Sequence, residues 1–519
     1  MEIIFDFVPN HTSHENQWFK DSAAGKNGKS DWYVWNDKSL DWKNTWGANA
    51  WHNKNGKYYY AAFADTQPDL NYRNYEVREE MKNVVRYWLN KGFDGLRIDA
   101  VRYLVETEDS LTDTAETHEW FAELREVIDE YESPKFMVCE AWIENDRTAL
   151  NKYFGTSDKP EFNMVLDFDQ GWNCIDDVKD GWNNYVSSRF FTPSDASYSY
   201  GTFLGNHDEY HNRLGDYFGN GTSDGGILAT ALSLLRPTVP FIYYGNEIAQ
   251  KSGSQSGDFR LRQPFSWSMA EAQKSQPSSI LNVNKTLLSL RNSEEYRDLF
   301  ANGTVKILNC NMTVTDTNTP WKGAIAYTIS NADQKLLIVA NLTKYNQPSF
   351  WFEDFGMSEL IGTGYSVLVG NTDTFLILVE DGTDALFTNF RPYEIRVYDL
   401  KHSEKSCVLD IWDFPLTTMY LRGTMNSWTS DLMSVDSASG DFYIPIELTA
   451  NEKYEFKFDE NGDWSHSYGS LQSAVLSLNS PIETSDFPGL NTNFSFTPEE
   501  SGTYTFFFHK NTLTVEIKN

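Results

Sequence analysis

The chain has 519 residues and a formal net charge of −31 at pH 7. This length exceeds what one hydrophobic core supports and predicts two to four domains. So acidic a chain excludes nucleic acid and anionic membrane surfaces as partners, and no apolar run is long enough to span a bilayer.

Aromatic residues make up 15% of the chain, with 17 Trp and 28 Tyr. Amphipathic rings of this kind suit the flat apolar faces of sugars, although they can equally serve packing. The cysteines are far apart and show no metal-ligand spacing, so they indicate neither a disulfide framework nor a reducing compartment. They are Cys139, Cys174, Cys310 and Cys407.

Up to about residue 300, apolar strands alternate with amphipathic helices, a pattern typical of a parallel sheet. The predicted strands are Ile3 to Val8, Gly95 to Asp99, Lys135 to Glu140, Asn163 to Asp167, Thr202 to Gly205 and Val239 to Tyr244. Polar residues follow these strands repeatedly, which is typical of a β/α barrel with its site at the carboxyl ends. Six strands are predicted, whereas a complete barrel has eight.

An irregular segment at about 12–73, rich in Trp, Tyr and Asn, interrupts this pattern and predicts an inserted subdomain. Helical patterns stop near residue 300, and strand-like runs such as Ala324 to Ile329 and Tyr365 to Val369 predict an antiparallel β domain at 301–402. A connector near 401–416 leads to a third unit at 417–519, which is also all β.

The second predicted strand carries Arg97 and Asp99 on one face at its carboxyl end. An arginine two positions away keeps an aspartate ionised, which suits a nucleophile or a charge stabiliser better than a proton donor. A simple ion pair at the end of a strand is the alternative interpretation.

Several motifs together resemble glycoside hydrolase family 13, the α-amylase family, over residues 1 to about 400. They stand in the family's order and are Asp6 to His11, Gln67 to Asn71, Gly95 to Tyr103, Val138 to Trp142, Phe203 to Asp208 and Pro240 to Ile248. The resemblance implies an α/β fold with a (β/α)8-type barrel that lacks its first two strands, followed by two all-β domains.

In this resemblance, Asp99 is the nucleophile, Glu140 the acid/base and Asp208 a third carboxylate that holds sugar hydroxyls. Glu140 follows the apolar run Phe136 to Cys139, and partial desolvation favours a protonated carboxyl. Two carboxyl groups about 5 to 5.5 Å apart are what hydrolysis with retention requires.

Three further residues are assigned to substrate binding: Arg97, His207 and His11. An ordinary packed histidine is the alternative for His11, and Asp6 is interpreted as a structural partner of Arg97.

The resemblance also implies a calcium ion that ties the insert to the barrel through Asn10, Asp69 and the carbonyl of Tyr103. Such oxygen ligands suit calcium. Tyr103 replaces the family's usual histidine, and relatives with the Gln67 to Asn71 form of the motif often lack the ion.

The third unit, 417–519, is similar to the immunoglobulin-like modules that bind starch and glycogen. Trp428, Trp464 and Tyr468 are its candidate stacking residues, with packing inside the sandwich as the alternative.

The expected function is α-1,4 hydrolysis of starch, glycogen or maltooligosaccharides in the extracellular space or the secretory pathway. Ala100 resembles the α-1,4-acting enzymes, whereas Gln67 to Asn71 resembles the α-1,6-acting ones. An α-1,6-acting or transglycosylating enzyme and a non-catalytic glucan-binding protein therefore stay open. The first motif belongs to the family's third strand, so we expect a truncated chain with exposed sheet edges, poor solubility and little activity.

Overall fold

A computed structural model of the chain describes residues 1–180, 199–208, 212–219, 224–276, 279–312, 324–343, 347–353, 377–378, 384–390, 393–399, 409–410, 418–460, 462, 464, 467–470, 473–484, 492–509 and 514–519. The chain divides into two compact units. The first comprises Met1–Trp172, Phe191–Phe203 and Thr238–Phe241, and the second comprises Asn173–Phe190, Leu204–Pro237 and Ile242–Asn519.

A six-stranded parallel sheet forms the centre of the first unit. The strands of this unit are β1 (Ile4–Phe7), β2 (Trp35–Asn36), β3 (Trp51–Lys54), β4 (Lys57–Tyr60), β5 (Gly95–Ile98), β6 (Phe136–Cys139), β7 (Met164–Leu166), β8 (Ser199–Thr202) and β9 (Val239–Pro240). The parallel sheet has the order β1-β5-β6-β7-β8-β9, which confirms the predicted class of sheet. Among the described residues no pairing joins β1 to β9, so closure into a barrel is not observed.

Glycine permits the close approach of β5 and β6. A Cβ added at Gly95 would lie 2.1 Å from the carbonyl oxygen of Phe136, so only glycine fits this point of the sheet. In the insert, β2, β4 and β3 form a separate three-stranded antiparallel sheet.

The helices that begin in the first unit pack through narrow apolar faces. They are α1 (Gln17–Ala23), α2 (Tyr75–Asn90), α3 (Ala115–Asp129), α4 (Arg147–Asn151) and α5 (Phe168–Asp180). Asn74 caps α2 by accepting the backbone N–H of Glu76 at 2.8 Å. The buried face of α2 consists of Val77, Met81, Val85 and Leu89, whereas Trp88 is 41% exposed.

The second unit begins with buried helices that share a core with two antiparallel strands. Its helices are α6 (Leu214–Phe218), α7 (Asp224–Leu234), α8 (Trp267–Lys274), α9 (Ile280–Asn292) and α10 (Arg297–Asn302). Residues 225–234 of α7 are all buried, which accounts for a helix that is apolar on every side. Its Leu228 and Leu232 belong to one apolar cluster with Ile325 and Ile338 of the following sheet.

Two antiparallel sheets follow α10. Their strands are β10 (Thr304–Ile307), β11 (Asn309–Met312), β12 (Ala324–Ser330), β13 (Lys335–Asn341), β14 (Gln347–Glu353), β15 (Ile377–Leu378), β16 (Asp384–Phe390), β17 (Ile395–Asp399) and β18 (Leu409–Asp410). The sheet orders are β10-β12-β13-β17-β18 and β11-β14-β16-β15. The predicted strand Tyr365 to Val369 lies outside the described residues.

The C-terminal part is again all β, as the sequence predicts. Its strands are β19 (Tyr420–Gly423), β20 (Asp431–Leu432), β21 (Ser434–Val435), β22 (Phe442–Leu448), β23 (Tyr454–Asp459), β24 (Ser467–Tyr468), β25 (Ile482–Glu483), β26 (Phe494–Phe496), β27 (Gly502–His509) and β28 (Thr514–Lys518). One sheet contains β20-β19-β23-β24 with β26 beside β23, and the other has the order β21-β22-β27-β28-β25. Phe456, Phe458, Phe494 and Phe506 lie in the shared apolar core.

Candidate active site

Asp99 and Glu140 follow neighbouring parallel strands at the same level of the sheet. Ile98 pairs with Cys139 at the end of the β5–β6 ladder, and each carboxylate is the next residue. Backbone hydrogen bonds continue past the ladder, since the N–H of Glu140 donates to Ile98 O at 2.9 Å. The fold therefore brings two acidic side chains together at the carboxyl edge of the sheet.

Arg97 contacts three carboxylates at once. Its Nη1 lies 2.8 Å from Asp6 Oδ1 and 2.5 Å from Asp99 Oδ1, and its Nη2 lies 2.7 Å from Glu140 Oε2. Burial alone would lower the pKa of Arg97, but the charges of Glu140, Asp99 and Asp6 outweigh it and raise the pKa. A planar guanidinium can serve several carboxylates in this way because its donors form a fixed fork. The contact between Asp6 and Arg97 that the sequence predicts is present.

His11 lies beside this cluster and is half-buried. Its Nε2 is 3.0 Å from Gln67 Nε2, and its Nδ1 is 3.4 Å from Asn10 Nδ2. Burial lowers the pKa of His11, and the charge of Asp99 opposes that shift only in part. A histidine whose pKa is lowered favours the neutral imidazole, which can both donate and accept hydrogen bonds with an uncharged polar ligand.

Two aromatic side chains flank the same region. The ring of Phe63 lies 5.4 Å from His11 and 5.1 Å from the ring of Tyr103, measured between centroids. Burial raises the pKa of Tyr103, and the charge of Glu140 contributes in the same direction. Phe63 therefore joins His11 and Tyr103 into one group of packed rings.

In the second unit, Asp208 has its own cationic partner. Arg262 Nη2 lies 3.0 Å from Asp208 Oδ1, and Arg262 Nε donates to the carbonyl of His207 at 3.0 Å. His207 Nε2 is 3.3 Å from Asp208 Oδ2. Arg262 therefore binds both the Asp208 carboxylate and the backbone of the preceding residue.

Of the residues predicted to hold calcium, Asn10 and Asp69 are buried and in contact, whereas Tyr103 is only partly buried. Asn10 Nδ2 donates to Asp69 Oδ2 at 3.0 Å, whereas the buried Oδ1 of Asn10 has no hydrogen-bond partner. Glu106 is 2% exposed, and its Oε1 is also unpartnered. Buried polar atoms without partners are rare and point to an absent ligand.

The carboxyl groups of Asp69 and Glu106 are both buried, and the charge of Glu106 acts on Asp69. Burial and the charge of Glu106 raise the pKa of Asp69 well above its ordinary range, and burial raises the pKa of Glu106 to about 8. Among the described residues no group of three or more His, Cys, Asp or Glu side chains is arranged to hold a metal. The oxygens available to a hard cation are therefore those of two carboxylates, one amide and the backbone. Calcium accepts oxygen ligands of these kinds.

The three aromatic residues assigned to the C-terminal module have different surroundings. Trp464 is 43% exposed, and its ring lies 6.0 Å from that of the half-buried Trp428. Tyr468 is 2% exposed and packs against Phe508, so its assignment as a stacking residue is wrong. Its ring fills the sandwich core, as the packing alternative predicts.

Arg422 holds the two tryptophans of this module. Its Cζ lies 4.4 Å from the centroid of the Trp464 ring, and its Nη1 donates to the carbonyl of Trp428 at 3.0 Å. The buried Asp459 accepts from Arg422 Nε at 2.6 Å. A buried ion pair therefore fixes the position of an exposed aromatic ring.

Sequence reasoning missed several residues of these sites. Gln67 stands out in the sequence only as part of a motif, and its contact with His11 is not predicted. Arg262 and Glu106 carry no local sequence signal, because their partners Asp208 and Asp69 are distant in the chain.

Comparison with known proteins finds a family model and relatives that match this chain. The family model described as the catalytic domain of α-amylase matches residues 1–299. α-Amylase 3 of Dictyoglomus thermophilum is 30% identical over 371 residues, which cover 66% of this chain and 68% of the relative.

Two further similarities extend over more of the chain. An α-glucosidase of Apis mellifera is 27% identical over 473 residues, or 75% of this chain and 80% of the relative. The crystal structure of the α-amylase from H. orenii superposes with a TM-score of 0.59 at 24% identity, over 76% of this chain and 80% of that one.

Among the described residues no helix is long and apolar enough to cross a membrane.

Proposed function

The chain belongs to the α-amylase family, glycoside hydrolase family 13, and we propose that it is a retaining α-glucan hydrolase. Its proposed substrates are starch, glycogen and maltooligosaccharides, cleaved at α-1,4-glucosidic bonds. The observation that carries the proposal is that Asp99 and Glu140 bind the two terminal nitrogens of one guanidinium.

The shared guanidinium supports retention of anomeric configuration. Two carboxylates bound to one guanidinium are held close together. The distance between the two carboxyl groups is about 5 to 5.5 Å in retaining glycosidases and about 6.5 to 9.5 Å in inverting ones. Asp99 would attack the anomeric carbon while Glu140 gives its proton to the leaving glycosidic oxygen. Glu140 would then take a proton from the water that releases the sugar from Asp99.

Other residues are proposed to bind the sugar. His11, placed by Gln67, would exchange hydrogen bonds with hydroxyls of the reacting glucose. We also propose that His207 and Asp208 bind sugar hydroxyls, with Arg262 as the ion-pair partner that positions the Asp208 carboxylate. Trp464 and Trp428 would hold polysaccharide on the C-terminal module.

We also propose that Asn10, Asp69 and the carbonyl of Tyr103, with Glu106 as an additional ligand, would hold calcium. The unpartnered oxygens of Asn10 and Glu106 support this set. Calcium would supply charge compensation between the insert and the parallel sheet, not chemistry at the sugar.

The experiment that tests the function is hydrolysis of maltoheptaose, followed by proton NMR of the first products. We expect newly formed reducing ends in the α configuration, because double displacement retains it. Products with the β configuration, or no hydrolysis by protein that binds maltoheptaose, would contradict the proposed mechanism.

A second candidate is an α-1,6-acting or transglycosylating enzyme. The contact between Gln67 and His11 favours it, because the motif that resembles α-1,6-acting enzymes reaches the reacting region. Isomaltose and panose as substrates, together with product sizes from maltoheptaose, separate the candidates. Products longer than maltoheptaose would show transfer, since a second sugar then replaces water at the same intermediate.

A further inference from the structure

Trp46 is an exposed indole that the fold holds in a fixed place. It lies in the insert and is 69% exposed. Asn44 organises the turn around it: its Oδ1 accepts the backbone N–H groups of Trp46 at 3.1 Å and Ala48 at 2.9 Å. Asn44 Nδ2 also donates to the carbonyl of Phe63 at 3.2 Å, so the turn is tied to the chain beneath it.

A run of ring contacts leads from Trp46 to His11 and Tyr103, on which the charges of the reacting carboxylates act. The Trp46 and Phe63 rings lie 6.1 Å apart in an edge-on arrangement, and Phe63 contacts both His11 and Tyr103. The charge of Asp99 acts on His11, and the charge of Glu140 acts on Tyr103. All of these residues belong to the first unit.

We propose that Trp46 is a binding platform for a glucosyl residue of an α-glucan chain, a few units from the bond that is cleaved. An indole held at a defined place loses little conformational freedom when a sugar ring stacks on it. Its exposure leaves the ring accessible, and its contact with Phe63 connects it to His11 and Tyr103. This inference rests on the proposed function and adds a site that depends on the length of the substrate.

The proposal predicts an effect that grows with chain length. Trp46→Ala should lower kcat/KM for maltoheptaose by about tenfold, and for p-nitrophenyl α-maltoside by less than about twofold, because only the longer chain reaches the indole. Trp46→Phe should retain most of the activity on maltoheptaose. The melting temperature should change little, since the truncated side chain is exposed.

Trp267→Ala is the matched control, because Trp267 is an exposed tryptophan, at 73%, in the second unit. All variants are made in a Trp464→Ala background, so that binding at the C-terminal module does not mask the result. An equal loss on both substrates would overturn the proposal, because it would mean that Trp46 acts by supporting the reacting centre. An unchanged Trp46→Ala, or an equal effect of Trp267→Ala, would overturn it as well.

The test distinguishes failure of this inference from failure of the proposed function. If the parent protein cleaves no α-glucan, the proposed function has failed, and isothermal titration with maltoheptaose then decides the inference. Weaker binding by Trp46→Ala than by the parent and by Trp267→Ala supports the platform. Equal affinities, or no binding at all, overturn it.

Discussion

Replacing Arg97 by glutamine tests whether one guanidinium holds the candidate site together. The side chains of Arg97, Asp99 and Glu140 are only 13%, 22% and 11% exposed. Removing one partner of a buried ion pair costs about 3 to 5 kcal/mol, since the remaining charges lose their compensation. The contact with Asp6 adds little, because that carboxylate is 55% exposed and such pairs contribute about 0 to 1 kcal/mol.

We therefore expect Arg97→Gln to lower the free energy of unfolding of the first unit by about 3 to 5 kcal/mol at pH 8. The loss should be smaller at pH 5, where protonation of a carboxyl relieves the repulsion between the acids. Turnover should fall on the order of a hundredfold, as when a preorganised charge is removed from a reacting centre.

Arg86→Gln provides the matched control. Arg86 pairs with Glu130 at 2.6 Å, but their side chains are 31% and 50% exposed, so this change should cost no more than about 1 kcal/mol. Unfolding is followed in urea by tryptophan fluorescence. Equal effects of the two substitutions would refute the reasoning, and Arg97→Lys, which keeps the charge but not the fork, gives a second variant if Arg97→Gln does not fold.

Three other outcomes are expected. Asp99→Asn and Glu140→Gln should each lower hydrolysis of maltoheptaose by several orders of magnitude without changing retention on starch granules; wild-type turnover in either variant would remove that residue from the mechanism. With a chelator present, the pKa of about 8 means that the Glu106 carboxyl is protonated in the folded protein but ionised in the unfolded chain between about pH 4.5 and 8. The free energy of unfolding should therefore fall by up to about 1.4 kcal/mol per pH unit as the pH rises through this range. Calcium should restore stability most at the upper end of this range, and Glu106→Gln should reduce the slope, with the buried Asp69 carboxyl contributing the remainder; a melting curve that neither calcium nor pH moves would contradict the site. Trp464→Ala should weaken retention on starch granules relative to Trp267→Ala, and equal retention would assign Trp464 a structural role only.

The parallel sheet was predictable because burial on both faces leaves a simple signal of short apolar runs between helices. One strand was misplaced: β8 is Ser199–Thr202, whereas the sequence favours Thr202 to Gly205. Phe203 and Leu204 supplied the apolar signal, yet both are buried by packing beyond the end of the strand. Hydrophobicity alone does not distinguish these two kinds of burial.

The antiparallel sheet of the insert was not predicted. Tyr58, Tyr59 and Tyr60 form a continuous aromatic run, and no alternation marks them as a strand. Tyr468 was predicted to face solvent but is buried. The sequence alone does not show whether an aromatic residue near an exposed tryptophan fills a core or faces solvent.

The adjacency of Asp99 and Glu140 followed from the sequence, since residues after neighbouring parallel strands meet at one edge. The bridge from Arg97 to Glu140 did not, because it depends on the register of β5 against β6. The same holds for Asp208 and Arg262, which are separated by 54 residues and joined only by the fold.

Burial around Arg97 gives an argument for the chemical roles that is independent of the motifs. Three carboxylates share one guanidinium, so the cluster carries excess negative charge, and a proton relieves it most where solvation is poorest. The Asp6 side chain is 55% exposed, whereas the Glu140 side chain, at 11%, is the least hydrated of the three. Asp99, at 22%, is better hydrated and accepts from the same fork. This order of burial supports the proposed roles, with Glu140 as the acid and Asp99 as the nucleophile of a retaining glycosidase.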